Sequence, residues 1–219
     1  MGAIVVVALV GVAIFALAGG DASSLGPGLL GDDTPETPAF DFETSKPKAV
    51  ETSTDPDHKA AVEAAQAPAE AVTERIDDLY TAAFLDPGNW MEGEYDDVLA
   101  FFDGGAADAA ERQLDVLTAG PAAGDAFDTI RPLPSTLKVQ VLFDPDGTPH
   151  AVEGSARFVA RGAGEDGQVD LVSKGQFVFE RADGEWVVVS FSVRRSDEER
   201  ESTPPSASAS AEPSEAEAS

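Results

Sequence analysis

The chain of 219 residues contains no cysteine and only two histidines. The absence of cysteine excludes a disulfide framework, a thiolate zinc site and a lipid-modified cysteine after the apolar N-terminus. It also removes the usual sequence clue to an oxidising compartment. The sequence has no phosphate-binding glycine loop, HExxH zinc motif or nucleophile elbow. We therefore expect neither a cofactor nor a metal ion.

Basic residues are also scarce, with 14 Lys and Arg against 41 Asp and Glu, which gives a formal net charge of −27 at pH 7. A surface this negative repels nucleic-acid phosphates, so we expect no nucleic-acid partner. The excess of acid is typical of a strongly hydrated surface or of adaptation to salt.

Charge of either sign is missing from residues 1–20. An apolar run of this length is near the lower limit for a helix that crosses a hydrocarbon core of about 30 Å. We therefore predict an N-terminal transmembrane signal anchor at 1–20, which holds the protein to the membrane. Two alternatives stay open: a signal peptide cleaved near Ala18, and a buried core helix.

The charges that follow this segment predict its orientation. Six acidic residues precede the first basic residue, Lys46. The flank therefore lacks the Lys and Arg that favour retention in the cytoplasm. We expect a single-pass cell-membrane protein with its C-terminal domain outside, or a secreted domain if the segment is cleaved. The apolar run begins at residue 1, which is consistent with a basic cytoplasmic leader that precedes this sequence.

Composition divides the rest of the chain into three parts. Residues 21–57 are rich in Gly, Pro, Thr and acids, and are predicted to be a disordered linker with a reach of about 35 Å. Residues 58–195 are predicted to be one folded domain. Residues 196–219 are rich in Ser, Ala, Pro and Glu, and are predicted to be a disordered tail.

Helical periodicity comes first within the folded part. From Pro68 onwards, apolar residues recur at intervals of three and four and predict one buried helix face: Val72, Ile76, Leu79 and Ala83. The Asp-Pro-Gly sequence at 86–88 ends this pattern. Two further helices are predicted at 95–102 and 106–117.

After Pro134 the period changes from 3.6 to 2, which predicts strands. Four alternating runs are separated by turn sequences at 144–147, 162–167 and 182–184. The predicted fold class is therefore α+β, with N-terminal helices packed on a curved antiparallel sheet of about four strands. One transmembrane helix is predicted to precede this domain.

The closing stretch carries a family resemblance. Residues 175–180 (GQFVFE), the turn at 183–184, Trp186 and residues 191–194 (FSVR) resemble the final hairpin of the NTF2-like superfamily. Residues 83–87 (AFLDP), Trp90 and residues 115–118 (DVLT) resemble extracytoplasmic NTF2-like domains of membrane-anchored actinobacterial proteins.

This resemblance covers residues 69–195 and implies a cone-shaped, ketosteroid-isomerase-like fold in which a curved sheet wraps around a long helix. Members of the superfamily include isomerases, dehydratases, dimeric transport factors and catalytically silent domains. The resemblance alone therefore does not choose a function.

Ionisable side chains are missing from the apolar strand faces, where Ser173 is the one polar exception. An enzyme of this shape would need a carboxylate, His or Tyr inside the cone, so we predict no catalytic residue. Aromatic residues could instead line an apolar pocket or fill the core. The predicted ligand-binding residues are Tyr80, Trp90, Phe101 and Phe127.

Together these features predict a non-catalytic, membrane-tethered extracytoplasmic domain that mediates protein–protein interaction in the cell envelope. Its partner is expected to be another envelope protein or a second copy. One alternative is a small apolar ligand-binding or lipid-uptake accessory protein, which would need a cavity of several hundred Å³ beside Trp90. The other is an isomerase- or dehydratase-like enzyme, which would need a buried acid or His in that cavity.

Overall fold

The computed structural model describes residues 35–50 and 58–200. The predicted membrane segment at 1–20 lies outside these residues. Within the described ranges, no helix has the length and hydropathy needed to span a membrane. The helices come first: α1 His58–Ala64, α2 Gln66–Tyr80, α3 Pro87–Glu92, α4 Asp96–Leu99, α5 Gly104–Glu111, α6 Leu114–Leu117 and α7 Ala123–Ala126.

The strands make one sheet, so this part of the chain is mixed α+β. They are β1 Glu43–Thr44, β2 Lys48–Val50, β3 Thr129–Phe143, β4 Pro149–Gly164, β5 Gly167–Ala182 and β6 Glu185–Arg200. The four long strands form an antiparallel meander in chain order, β3-β4-β5-β6. Both short strands pair in parallel with β3, whose other edge pairs with β4.

The prediction of about four antiparallel strands was therefore wrong, because the described part of the sheet has six strands, two of them parallel to β3. The added strands β1 and β2 have two and three residues and come from within the stretch assigned to the linker. Such short segments have no period that a sequence pattern could detect. These two strands are held in place by backbone pairing with the edge of β3 and by burial of the nearby Phe42 ring.

Helix α2 confirms the predicted apolar face, since Val72, Ile76 and Leu79 are buried along it. Pro68 lies in its first turn, where a missing N–H costs least. The proline ring also disfavours a helical carbonyl four residues earlier, and α1 ends there, at Ala64. A π-helical turn at Thr81–Leu85 continues α2 and ends where the Asp86 carboxylate caps α3 by accepting from the Gly88 N–H.

The other predicted helices are shorter than expected. The run predicted at 95–102 is helical only over α4, and the run predicted at 106–117 is divided into α5 and α6. At the far end of the domain, β6 continues to Arg200 because its backbone pairs with β5 as far as Gln168. Backbone pairing of this kind does not depend on apolar side chains, so composition alone did not indicate it.

The core lies between α2 and one face of the sheet. Small residues on that face allow close approach: a Cβ added to Gly154 would collide with Ile76 Cδ1. Gly175 is similarly close to Phe177 and to the Tyr80 hydroxyl. Helix α2 therefore packs directly on the β4 and β5 backbones. The opposite face of the sheet points away from this helix.

Candidate functional site

The four aromatic residues predicted to bind a ligand do not form one cluster. Tyr80 and Trp90 are 2% and 1% exposed, and Phe101 is 8% exposed. Phe127 is half-buried, with its ring against the position where Gly162 has no Cβ. These residues pack at separate places in the domain, so their aromatic character reflects core packing more than one shared surface.

Tyr80 lies at the centre of an aromatic cluster. Its ring contacts four phenylalanine rings at centroid distances of 5.1 to 6.1 Å: Phe42, Phe84, Phe158 and Phe177. The hydroxyl oxygen lies 3.3 Å from Ser173 Oγ, and burial raises the pKa of Tyr80. The space beside the ring does not admit a water molecule. Tyr80 is therefore part of the packed core and does not line a cavity.

Trp90 and Phe101 also make packing contacts. The Trp90 indole Nε1 is buried and has no hydrogen-bond partner among the described residues, which costs roughly 1–3 kcal/mol. The Arg75 guanidinium carbon lies 4.2 Å from the centroid of the Phe101 ring, a cation–π arrangement. Neither of the two open depressions described next has Trp90, Phe101 or Phe127 in its lining.

The first depression, of about 790 Å³, lies between residues 40–47 and α2 and is lined by several acidic residues. Asp77 is the best-defined of these, because its Oδ1 accepts a hydrogen bond of 2.9 Å from the Phe42 backbone N–H. The pKa of Asp77 is raised to about 6, mainly by burial and in smaller part by the neighbouring Asp41, Asp78 and Glu74, against the opposing effect of the Phe42 N–H. This contact attaches the 40–47 segment to α2.

The second depression, of about 550 Å³, lies on the sheet face opposite the helices, which we call the open face. Four exposed cations line it and form what we call the basic patch: Lys138, Arg157, Lys174 and Arg194. The strand register places Arg157 directly opposite Lys174, and Lys174 directly opposite Arg194. Lys138 lies on the same face of β3, two residues beyond Thr136, which is opposite Arg157.

Uncharged polar side chains continue the open face on one side of the patch, whereas Val159 and Val172 lie beside it on the other side. The next row across the sheet is Lys138, Ser155, Gln176 and Ser192. The lining of the depression contains no Phe, Tyr or Trp. A ligand in this depression can therefore bind through charge and hydrogen bonds, but it cannot stack on an aromatic ring of the lining.

The cations of the basic patch have no ion-pair or side-chain hydrogen-bond partner among residues 35–50 and 58–200. By contrast, Arg161 further along β4 is paired with Asp170 at 2.8 Å. Like charges directly opposite each other on a sheet are destabilising, by a few tenths of a kcal/mol to about 1 kcal/mol for each pair. Among the described residues, no opposite charge pairs with these cations to offset this cost.

Local sequence explains how the patch is built. The two-residue period of the strands sends every second side chain to the open face, so each strand contributes its cation without disturbing the core. Tight turns at Gly147, Gly167 and Gly184, all with positive φ, then fix the register that aligns the cations.

The sequence analysis assigned the strand faces but did not derive the register, and the basic patch was missed. A usable signal existed: each of four successive strands has a basic residue on its outward phase, although the chain has only 14 basic residues. Counting residues from each turn would have aligned three of them.

The hairpin tip at 144–147 is a turn. The Gly147 N–H donates to the Asp144 carbonyl at 2.9 Å, and His150 Nδ1 lies 3.4 Å from Asp144 Oδ1 at the exposed end of the hairpin. Over the described ranges, no group of three His, Asp or Glu side chains is placed to hold a metal ion. No protein-family model, curated protein or solved structure matches the chain.

Proposed function

We propose that this protein is a non-catalytic, membrane-tethered domain outside the cytoplasm that binds a partner protein of the cell envelope through the open face. The observation that carries the proposal is the contrast between the two faces of the sheet. One face packs against helices, and the space beside Tyr80 in this core is too small to admit a water molecule. The other presents the basic patch, whose cations have no ion-pair partner in the part of the chain that the structure describes.

The domain is proposed to be held at the membrane by residues 1–20, whose lack of charge favours insertion into lipid. Its orientation follows from the acidic flank after that segment, and the domain is proposed to lie on the outer side. Membership of the NTF2-like superfamily stays a prediction from the resemblance at 69–195.

The two alternative functions receive less support from the geometry. Binding of a small apolar ligand requires an enclosed apolar cavity, and the space beside Tyr80 is too small for water. An isomerase- or dehydratase-like reaction requires an acid or base that reaches a substrate. Tyr80 is buried at 2% exposure with its hydroxyl facing Ser173, and Asp77, which lines the first depression, uses its Oδ1 to accept the Phe42 N–H.

The absence of native cysteine allows a sharp test, because one introduced thiol is the only labelling site in the whole chain. We choose Gln176→Cys at the open face and Gln113→Cys after α5 as the matched control, since both glutamines are exposed. Each full-length variant, made in its native cells, is labelled through the thiol with a photo-crosslinker.

We expect one predominant, mass-identified adduct with an envelope protein from Gln176→Cys and none from Gln113→Cys. A membrane-impermeant thiol reagent should label both variants in intact cells, because the domain is proposed to lie outside. Equal adducts from both positions would contradict binding through the open face. Protection of both thiols until the membrane is permeabilised would contradict the proposed location.

A further inference from the structure

The basic patch has a definite geometry. Neighbouring strands lie about 4.8 Å apart, so the cations on β4, β5 and β6 form a line of about 10 Å across the sheet. That line is Arg157, Lys174 and Arg194, and it continues through Thr136 to Glu43 on β1. The single acid in the row is therefore two strands away from Arg157.

Acids along the strands lie farther from this line of three cations, whereas Lys138, which is outside the line, has Glu153 as a diagonal neighbour on β4. On the open face, Glu153 on β4 lies four residues from Arg157, and Glu198 on β6 lies four residues from Arg194. Four residues of strand span about 13 Å. Asp170 on β5 is four residues from Lys174 but is held by Arg161. The patch is thus a compact region of positive charge on a chain of net charge −27.

We propose that the basic patch binds an acidic peptide segment of the partner protein in extended conformation. This inference rests on the binding function proposed above and specifies the chemistry of the partner. In an extended chain, alternate side chains lie about 7 Å apart on one side, so two carboxylates fit within the line of cations of about 10 Å. Ser155 and Ser192, in the next row across the sheet, are placed beside the line to hydrogen-bond the peptide backbone.

Other occupants fit the patch less well. A symmetric contact with a second copy centred on this row would place Lys174 and its neighbours against the same cations. A lipid surface would bring anionic headgroups against the surrounding acids of a chain with net charge −27. A single phosphate group is too compact to contact cations spread over about 10 Å.

The test uses the full-length protein in a neutral detergent and fluorescence anisotropy of two labelled ten-residue peptides, one alternating Glu and Ser and the other alternating Gln and Ser. Lys174→Glu removes the middle of the patch, and Arg112→Glu makes the same charge change at an exposed cation outside it. Far-UV circular dichroism checks that both variants fold, and Arg157→Gln gives a second, milder change within the patch.

We expect the Glu-Ser peptide to bind at least tenfold more tightly than the Gln-Ser peptide. Lys174→Glu should weaken its binding at least tenfold and Arg157→Gln severalfold, whereas Arg112→Glu should change it less than twofold. Raising the salt from about 0.1 M to about 0.5 M should also weaken binding several-fold, because exposed charges are screened.

Equal binding of the two peptides would overturn the inference, as would equal effects of Lys174→Glu and Arg112→Glu. Tighter binding to inorganic polyphosphate or to vesicles of anionic lipid than to the Glu-Ser peptide would overturn it in favour of those ligands. Failure here is distinguishable from failure of the proposed function. If Gln176→Cys still crosslinks to a partner when Lys174→Glu is also present, the proposed interaction function is supported. The inference that the partner binds through an acidic peptide is then contradicted.

Discussion

Asp77 offers the most informative single perturbation of the fold, because its carboxylate attaches residues 40–47 to α2. It accepts the Phe42 N–H at 2.9 Å, and burial raises its pKa from 3.8 to about 6. Replacement by Asn keeps an acceptor oxygen for Phe42 and removes the ionisation. Asp78→Asn makes the same charge change at the exposed neighbouring position and is the matched control.

The sign of the effect follows from the direction of the pKa shift. Because the pKa is raised in the folded state, the folded protein binds this proton more tightly than the unfolded chain between about pH 4 and pH 6. The stability that Asp77 contributes is therefore full at low pH and is lost as the pH rises through about 6. At neutral pH the loss has an upper limit of about 3 kcal/mol, and partial exposure of the carboxylate reduces it to about 1 kcal/mol.

We therefore expect Asp77→Asn to be more stable than the wild type by about 1 kcal/mol near pH 7.5, with a smaller difference near pH 5. Urea unfolding followed by tryptophan fluorescence measures this, since Trp90 and Trp186 are both buried. Asp78→Asn should give a clearly smaller gain in the same direction, because it removes only one of the lesser causes of the Asp77 shift and leaves the buried carboxylate in place. Parallel curves for the two variants, or a gain that is larger at the lower pH, would refute the reasoning.

Three further predictions concern the sheet and the contacts that hold α2 and the loop at Asp115 and Thr118 against it. Lys174→Gln should raise the free energy of unfolding by about 0.5 kcal/mol through relief of cross-strand repulsion, and about 1 M salt should abolish the gain. Gly154→Ala should destabilise by about 1–3 kcal/mol because its methyl group meets a side chain of α2, whereas Gly105→Ala has open space and should not. Arg195→Met should cost about 1–3 kcal/mol through loss of two loop-carbonyl hydrogen bonds, with Arg112→Met near neutral. Thermal and urea unfolding measure all three.

Sequence periodicity was sufficient where an element buries one face over many residues. Helix α2 was predicted because its apolar positions repeat over four turns, and the four long strands because side chains alternate around clear turn sequences. The two short strands were missed because a segment of two or three residues is ordered by its neighbour and not by its own pattern. The break between α5 and α6 gave no Gly or Pro signal, since Arg112 and Gln113 lie there.

The candidate site shows a different limit of sequence reasoning. Aromatic residues indicate where apolar area is concentrated, but not whether it lines a cavity or fills a core, and Tyr80 is in filled core. The basic patch depends on register, which brings together cations up to 56 residues apart in the chain (194 minus 138). Each cation alone is an ordinary outward-facing residue, and only the aligned strands show that they form one surface.

The central claim is that the open face, through its cations, is where this protein binds its partner. The most direct measurement is crosslinking from Gln176→Cys with and without Arg157→Glu, in the full-length protein in its native cells. We predict that the mass-identified adduct forms in the single variant and is lost in the double variant. The double variant lacks the Arg157 cation, which has no ion-pair partner among the described residues and is therefore available to the partner protein. An adduct of undiminished yield in the double variant would contradict the role of the cations, and the absence of any adduct in the single variant would contradict binding at this face.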